Sequence, residues 1–470
     1  MTRYRSRRVS RAPLLATAVL VAGCATYTPA PLDPAAGAQE FSGRRLDSPE
    51  LGRYLTEHGS TAPTTGWRST DLALAALYWQ PGLDRARAAW HAAQAGEITA
   101  GARPQPAVQS EFGYGTSSES FGSRWFAAVG AIFTPELGGK RGARIATARA
   151  HTAAAEVDLE AAAWRTARAV RDASTELAAA SERLVDARDE LERVHGFAER
   201  LRRRYEEGAV GRGELVAIEA EETATRAAVA RETRAVAAAR TALAQAVGVP
   251  ATALEELRFV GETVPSCDTA SARTLQAQAL QRRPEIGRGL ADYAVAEGGL
   301  RLAVADAFPD ISLGPAFTYD LGIPRWSLLL NLVRIPFNRN RGPIAEATAR
   351  RAEAAARFAE VQQNVIAEVE GAVAACRVAE SEIMGADSAL TAARQRAGVA
   401  RGAYERGELG AADLEPLELA EARANRELHA ARRRAAVSAL TLETATGAWP
   451  PGDVRWPDPK TSVRVAEAAR

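Results

Sequence analysis

A shift of 199 residues, the distance from Tyr205 to Tyr404, lays this chain on itself. Under it Gly208 falls on Gly407, Glu214 on Asp413, Leu215 on Leu414 and Gly248 on Gly447, with no gap across either arm. The shifted stretches are rich in Ala, Glu and Arg and carry a heptad pattern. Val369, Cys376, Ile383, Leu390, Ala397 and Tyr404 form one row, and Ala372, Ala379, Ala386, Ala393 and Ala400 the other. Val170, Leu177, Leu184 and Leu191, with Ala173, Ala180, Ala187 and Val194, repeat it in the first copy. Large residues alternating with small ones suit closely approaching antiparallel helices. The glycines at 402, 407 and 410 break the helical run, so each copy reads as a long helical hairpin with a Gly-rich tip.

The rest of the chain follows in the same order twice. The first repeat covers 70–248, with strands at about 107–134, a long helix at about 136–206 and a return helix at about 212–247. A linker at 249–271 leads to the second repeat, 272–447, with strands at about 309–335, a long helix at about 337–406 and a return helix at about 411–446. One shorter helix precedes each strand pair, over about Thr70 to Gly101 and about Arg273 to Ala307. Residues 24–69 lack periodicity and read as an extended arm, and residues 448–470 as an irregular tail. The fold class is therefore mainly α with a small β part.

The first residues are a leader. Arg3, Arg5, Arg7, Arg8 and Arg11 precede the short apolar stretch Ala12 to Ala22, and Val21-Ala22-Gly23-Cys24 resembles the bacterial lipobox. Residues 1–23 thus read as a lipoprotein signal peptide, with Cys24 diacylated as the mature N-terminus. Ala25 after the cysteine favours the outer membrane over retention at the inner one. Cys376 holds the seam place of Leu177, which makes core filling its default role. A disulfide with Cys267 of the linker is the alternative in an oxidising periplasm.

The strands imply assembly. Each is about 10 residues, the length that crosses a bilayer when tilted. Val108, Phe112 and Tyr114 alternate with Gln109 and Glu111, and Ile311, Leu313, Phe317 and Tyr319 with Ser312, Gly314, Thr318 and Asp320. A spanning sheet leaves no edge in lipid, and four strands enclose no pore. Four transmembrane β-strands from each of three chains would close one shared twelve-stranded barrel in a homotrimer. A non-channel periplasmic scaffold lipoprotein with two surface hairpins is the alternative.

Several function classes drop out. The net charge of +1 offers no case for nucleic acid. His58, His91, His151, His195 and His429 form no close-spaced cluster, and H-E-x-x-H, C-x-x-C, phosphate-loop and G-x-S-x-G patterns are missing. Neither catalytic residues nor a cofactor or resident metal is expected.

The tips carry a family resemblance. Y-E-E-G-A-V-G-R-G-E-L at 205–215, Y-E-R-G-E-L-G-A-A-D-L at 404–414 and R-R-P-E-I at 282–286 resemble the TolC family of outer-membrane efflux channels. P-E-L-G-G-K-R at 135–141 and I-P-F-N-R-N-R-G at 335–342 are similar to its heavy-metal, cobalt–zinc–cadmium branch. The resemblance implies a trimeric channel-tunnel in the outer membrane of a Gram-negative bacterium. Its implied partners are a periplasmic adaptor, or membrane fusion protein, and an inner-membrane pump of the RND type. Heavy-metal cations are the substrate implied, with a drug or type I secretion channel as the alternative. It also implies a periplasmic gate at the tips, matched here by Tyr404, Glu214 and Asp413, with Tyr205 the repeat mate of Tyr404. Leu409 and Pro416 stand where the family pattern has an Arg and a second Asp, which argues against an identical salt-bridged lock.

From the residues alone two roles compete at each position. Glu214 and Asp413 either cap the return helices, where an acid favours the helix dipole, or form a ring of carboxylates that concentrates cations. Tyr205 and Tyr404 either pack in the seam or make a gating hydrogen bond.

Overall fold

The computed structural model describes residues 27–60, 66–116, 124–255, 257–258, 267, 271–320, 322–334, 338–448, 458 and 460. Cys24, the leader and most of the C-terminal tail lie outside these residues. Residues through Arg44 form one unit and those from Arg45 onward another.

Helix α1 of the first unit, Pro34–Ser42, starts where Asp33 Oδ1 accepts from the N–H of Ala35 at 2.9 Å. In the second unit α2, Pro49–Glu57, starts likewise at Ser48. The arm expected to be extended thus carries two helices. In each, a capping side chain is followed by Pro, whose fixed φ and missing N–H suit the first helical turn.

Each single short helix expected before a strand pair is instead two. The first is α3, Ser69–Trp79, and α4, Pro81–Gly101. The second pair, α7 (Ala272–Arg282) and α8 (Pro284–Ala305), occupies the equivalent place in the second repeat. The break falls at Gln80 and Arg283, both in extended backbone, because a residue before Pro is pushed out of the helical region.

The strands are β1, Ala107–Tyr114; β2, Trp125–Ile132; β3, Asp310–Asp320; and β4, Ile323–Arg334. They form one antiparallel sheet in the order β1-β2-β3-β4. The two repeats join at β2 and β3, where Val129 lies opposite Phe317 and Gly130 opposite Ala316. Gly314 is required at this seam. A Cβ there would lie 1.7 Å from the carbonyl oxygen of Ala131.

The long helices are α5, Lys140–Glu206, with 67 residues, and α9, Arg341–Glu405, with 65. At 1.5 Å per residue each runs roughly 100 Å. Both begin later than the sequence suggests, since Gly138 and Gly139, and Arg339 and Asn340, take left-handed conformations just before them. The return helices are α6, Arg212–Val247, and α10, Ala411–Ala445. α5 packs on α6, α9 on α10, α10 on α5, and α8 on both long helices.

The heptad rows are the cores of these hairpins. Val170, Leu177, Ala180, Leu184 and Val194 are buried, as are Val369, Cys376, Ala379, Leu390 and Ala397. Cys376 is bonded to Cys267, with Cα atoms 5.7 Å apart, so the seam position serves both as core and as the tether of the linker.

Candidate functional site at the hairpin tips and the sheet

The two tips have the same backbone. In the first, the Gly208 N–H donates to the Tyr205 carbonyl at 2.9 Å and the Ala209 N–H to that of Arg204 at 2.8 Å. In the second, Gly407 donates to Tyr404 at 2.9 Å and Glu408 to Ala403 at 2.9 Å. This paired ending needs a left-handed residue just past the helix, and Gly208 at φ 74° and Gly407 at φ 75° supply it. Three residues on, Gly211 and Gly410 turn the chain into α6 and α10 with nearly identical extended conformations.

Glu214 and Asp413 both lie in the first turn of a return helix. The Gly211 N–H donates to Glu214 Oε1 at 3.4 Å, so this carboxylate caps its own helix. Glu214 and Asp413 are both exposed. Among the described residues, no hydrogen bond or ion pair joins either to Tyr205, to Tyr404 or to the other acid. Leu409 is half-buried, and Pro416 lies inside α10.

The tyrosines depart from the seam. Leu201 and Ala400, one helical turn before them, are buried, whereas Tyr205 is 39% and Tyr404 46% exposed. Seam packing, their default in the sequence, ends one turn short of both rings.

A carboxylate not singled out from the sequence sits behind the first tip. Glu222 of α6 is buried, with His195 Nδ1 of α5 at 2.7 Å from its Oε1. Arg226 also donates to it, and Arg202 lies close. The His195 hydrogen bond is the main cause holding the Glu222 carboxyl below its ordinary range, with burial opposing and the Arg226 charge assisting. No spacing rule reveals this cluster, because His195 and Glu222 meet only when the hairpin folds.

At the sheet, pairing places Val108, Phe112 and Tyr114 beside Trp125 and Val129, then Leu313 and Phe317, then Trp326, Leu328, Leu330 and Leu332. All of them except the half-buried Phe317 are exposed. The opposite face carries Gln109, Glu111, Ser312, Thr318, Ser327 and Asn331. The rings of Tyr114 and Trp125, and of Phe317 and Trp326, lie 5.1 Å apart. Apart from Ser110, which lies opposite Val129, one face is thus apolar across all four strands, and the outer edges of β1 and β4 carry no strand among the described residues. Among these residues no helix is long and apolar enough to cross a membrane, and no group of three His, Cys, Asp or Glu side chains could hold a metal ion.

Residues 73–249 match the family model of outer membrane efflux proteins. No curated protein matches the chain. Solved structures resemble it in fold. VceC of Vibrio cholerae is 21% identical over 81% of this chain and 96% of its own, with a TM-score of 0.66. The outer-membrane channel OprN is 18% identical over 90% and 98%, with a TM-score of 0.67. The MtrE outer membrane channel of Neisseria gonorrhoeae, in its open state, is 18% identical over 81% and 89%, with a TM-score of 0.62. The mainly helical architecture with a small antiparallel sheet is the fold of these channels. The matched family and structures are channels, not enzymes.

Proposed function

We propose that this chain, built on the fold of outer-membrane efflux channels, is the outer-membrane channel-tunnel of a tripartite efflux system. The observation that carries this is the sheet: four strands of 8 to 12 residues, one apolar face and two open edges. Strands of that length cross a bilayer when tilted, and an open edge in lipid is too costly to persist. Three copies give an even count of twelve strands with a lumen. The long hairpins then continue the barrel as a periplasmic tunnel, open to what a periplasmic adaptor and an inner-membrane RND-type pump deliver. A disulfide between the linker and α9 fits a helical body folded in the oxidising periplasm.

Lipidation at Cys24 anchors the arm to the outer membrane in this reading. Mass spectrometry of the mature N-terminal peptide should find a diacylated Cys24, and an unmodified cysteine refutes that part alone.

Heavy-metal cations are the proposed substrate class, supported by the sequence patterns at 135–141 and 335–342 and by the exposed acids Glu214 and Asp413 at the tips. The purified protein in a planar bilayer tests the channel directly. Stepwise conductance is expected, and a protein that assembles yet never conducts is a scaffold. Export of metal cations rather than drugs by cells carrying the complete system tests the substrate.

A further inference from the structure

Five charged residues lie in the four strands: Glu111 in β1, Asp310 and Asp320 in β3, and Arg325 and Arg334 in β4. Asp310, Asp320 and Arg334 stand at strand ends, and Asp310 pairs there with Lys140 of α5. Glu111 and Arg325 lie inside the sheet. Strand pairing puts them in one cross-strand row, with Glu111 opposite Ala128, Ala128 opposite Thr318, and Thr318 opposite Arg325. Residues directly opposite share a face, so both charges lie on the polar one. A carboxylate and a guanidinium thus flank a row whose middle is small, on the two outer strands.

The row lies toward the strand turns, the end of the sheet away from the long helices. In the first hairpin one further row of this face, Gly113 with Phe126, separates it from the turn. On the apolar face the ring pairs Tyr114–Trp125 and Phe317–Trp326 sit at neighbouring levels. Aromatic rings in a barrel wall gather at the membrane interface. Glu111 and Arg325 are exposed, and among the described residues neither side chain makes a hydrogen bond or an ion pair. An unpaired charge is costly in lipid and belongs beside water. Asp320 and Arg124 stand next to the turns, so the described residues give this end two charges of each sign.

We propose that Glu111 and Arg325 set the ion preference of the channel's outer mouth, as a second selective element remote from the hairpin tips. This rests on the channel reading above and assigns a role to two residues of its barrel. Both signs are held at one level of the wall, and Ala128 and Thr318 between them are too short to cover either charge. A wall charge acts over about 10 Å at 0.1 M salt and about 30 Å at 0.01 M, so an ion leaving the lumen is within reach of both. The carboxylate favours cations and the guanidinium favours anions. The two effects oppose each other, and loss of either residue tips the balance. The tips differ in this respect, since Glu214 and Asp413 put an acid in both copies of the repeat.

Reversal potentials of the full-length protein in planar bilayers under a salt gradient test this. In 0.01 M salt Glu111→Gln should lower cation-over-anion permeability about twofold or more, and Arg325→Gln should raise it by a similar factor. Both shifts should vanish near 1 M salt, where a charge acts over only about 3 Å. The double variant should return toward the wild-type ratio. No shift in either single variant, or shifts of the same sign in both, overturns the proposal while the channel stands. Wall position is read separately, without conduction. In proteoliposomes a membrane-impermeant thiol reagent should label E111C and R325C above the wild-type level, but not F112C, which replaces a ring of the apolar face. Labelling of F112C with protection of E111C and R325C also overturns it. A wild-type protein that never conducts removes the channel reading itself, and the proposal falls with it.

Discussion

Arg283 Nη1 donates a hydrogen bond to Glu368 Oε2 at 2.7 Å, tying the cap of α8 to the long helix α9. The same guanidinium donates to Glu285 at 3.0 and 3.1 Å and lies 5.3 Å from the ring centre of Trp164 on α5. Arg168, also on α5, donates to the other oxygen of Glu368 at 3.2 Å. The R-R-P-E-I pattern at 282–286 thus has a physical meaning. Pro284 starts the helix, and Arg283 gathers both repeats around one buried cation. Burial alone would push the Glu285 carboxyl up, but its hydrogen bond with Arg283 brings it below the usual range.

Arg283→Ala should therefore be destabilising. Loss of the guanidinium leaves Glu285 without its hydrogen-bond partner and Glu368 with Arg168 alone, at a cost of about 1–3 kcal/mol. Thermal unfolding should shift down clearly, and an unchanged midpoint would show the knot to be dispensable.

Leu184→Asp places a charge in the closely packed seam between α5 and α6, where Leu184 is buried. The cost is several kcal/mol after relaxation. Assembled protein should disappear from the outer membrane; wild-type levels would mean that this face tolerates water.

The disulfide between Cys267 and Cys376 closes a loop of 109 residues that contains β3 and β4. Its removal by Cys267→Ser should lower stability by about 2–5 kcal/mol. The measurement is urea unfolding of wild type and variant, with reductant acting on the wild type alone. A reductant effect of equal size on both proteins would rule the disulfide out as its cause.

Glu222 gives the stability a pH dependence of known sign. A carboxyl held low in the folded chain stabilises it above the unfolded value of about 4.3 and loses that contribution as pH falls through the folded value. Glu222→Gln should melt lower than wild type at pH 7, and the gap should narrow in acid. A gap that stays constant between neutral and acidic pH would assign the effect to packing.

At the tips, Glu214→Gln with Asp413→Asn keeps size and removes charge. If these acids line the narrowest part of the tunnel, cation-over-anion selectivity in bilayer recordings falls, most at low salt, since screening acts over roughly 10 Å at 0.1 M. Unchanged reversal potentials leave them as helix caps, the role Glu214 already plays toward Gly211.

Periodicity and glycine placement are local properties, and they determined the hairpins, the strand faces and the tip positions from the sequence alone. A heptad row has one way to be buried by an antiparallel partner, and a left-handed turn needs Gly208 and Gly407. Pro81 and Pro284 also mark the breaks in the short helices, since the residue before each is pushed out of the helical region. What only the tertiary structure decided is which distant charges meet. Arg200 and Glu415, Arg283 and Glu368, and His195 and Glu222 carry no spacing signal, because their separation along the chain is set by how the hairpins dock. The same holds for Tyr205 and Tyr404, placed in register by the heptad yet left half-exposed where the packing ends. Sequence period specifies which face of a helix is apolar, whereas the partner that covers it is chosen by the global packing of the chain.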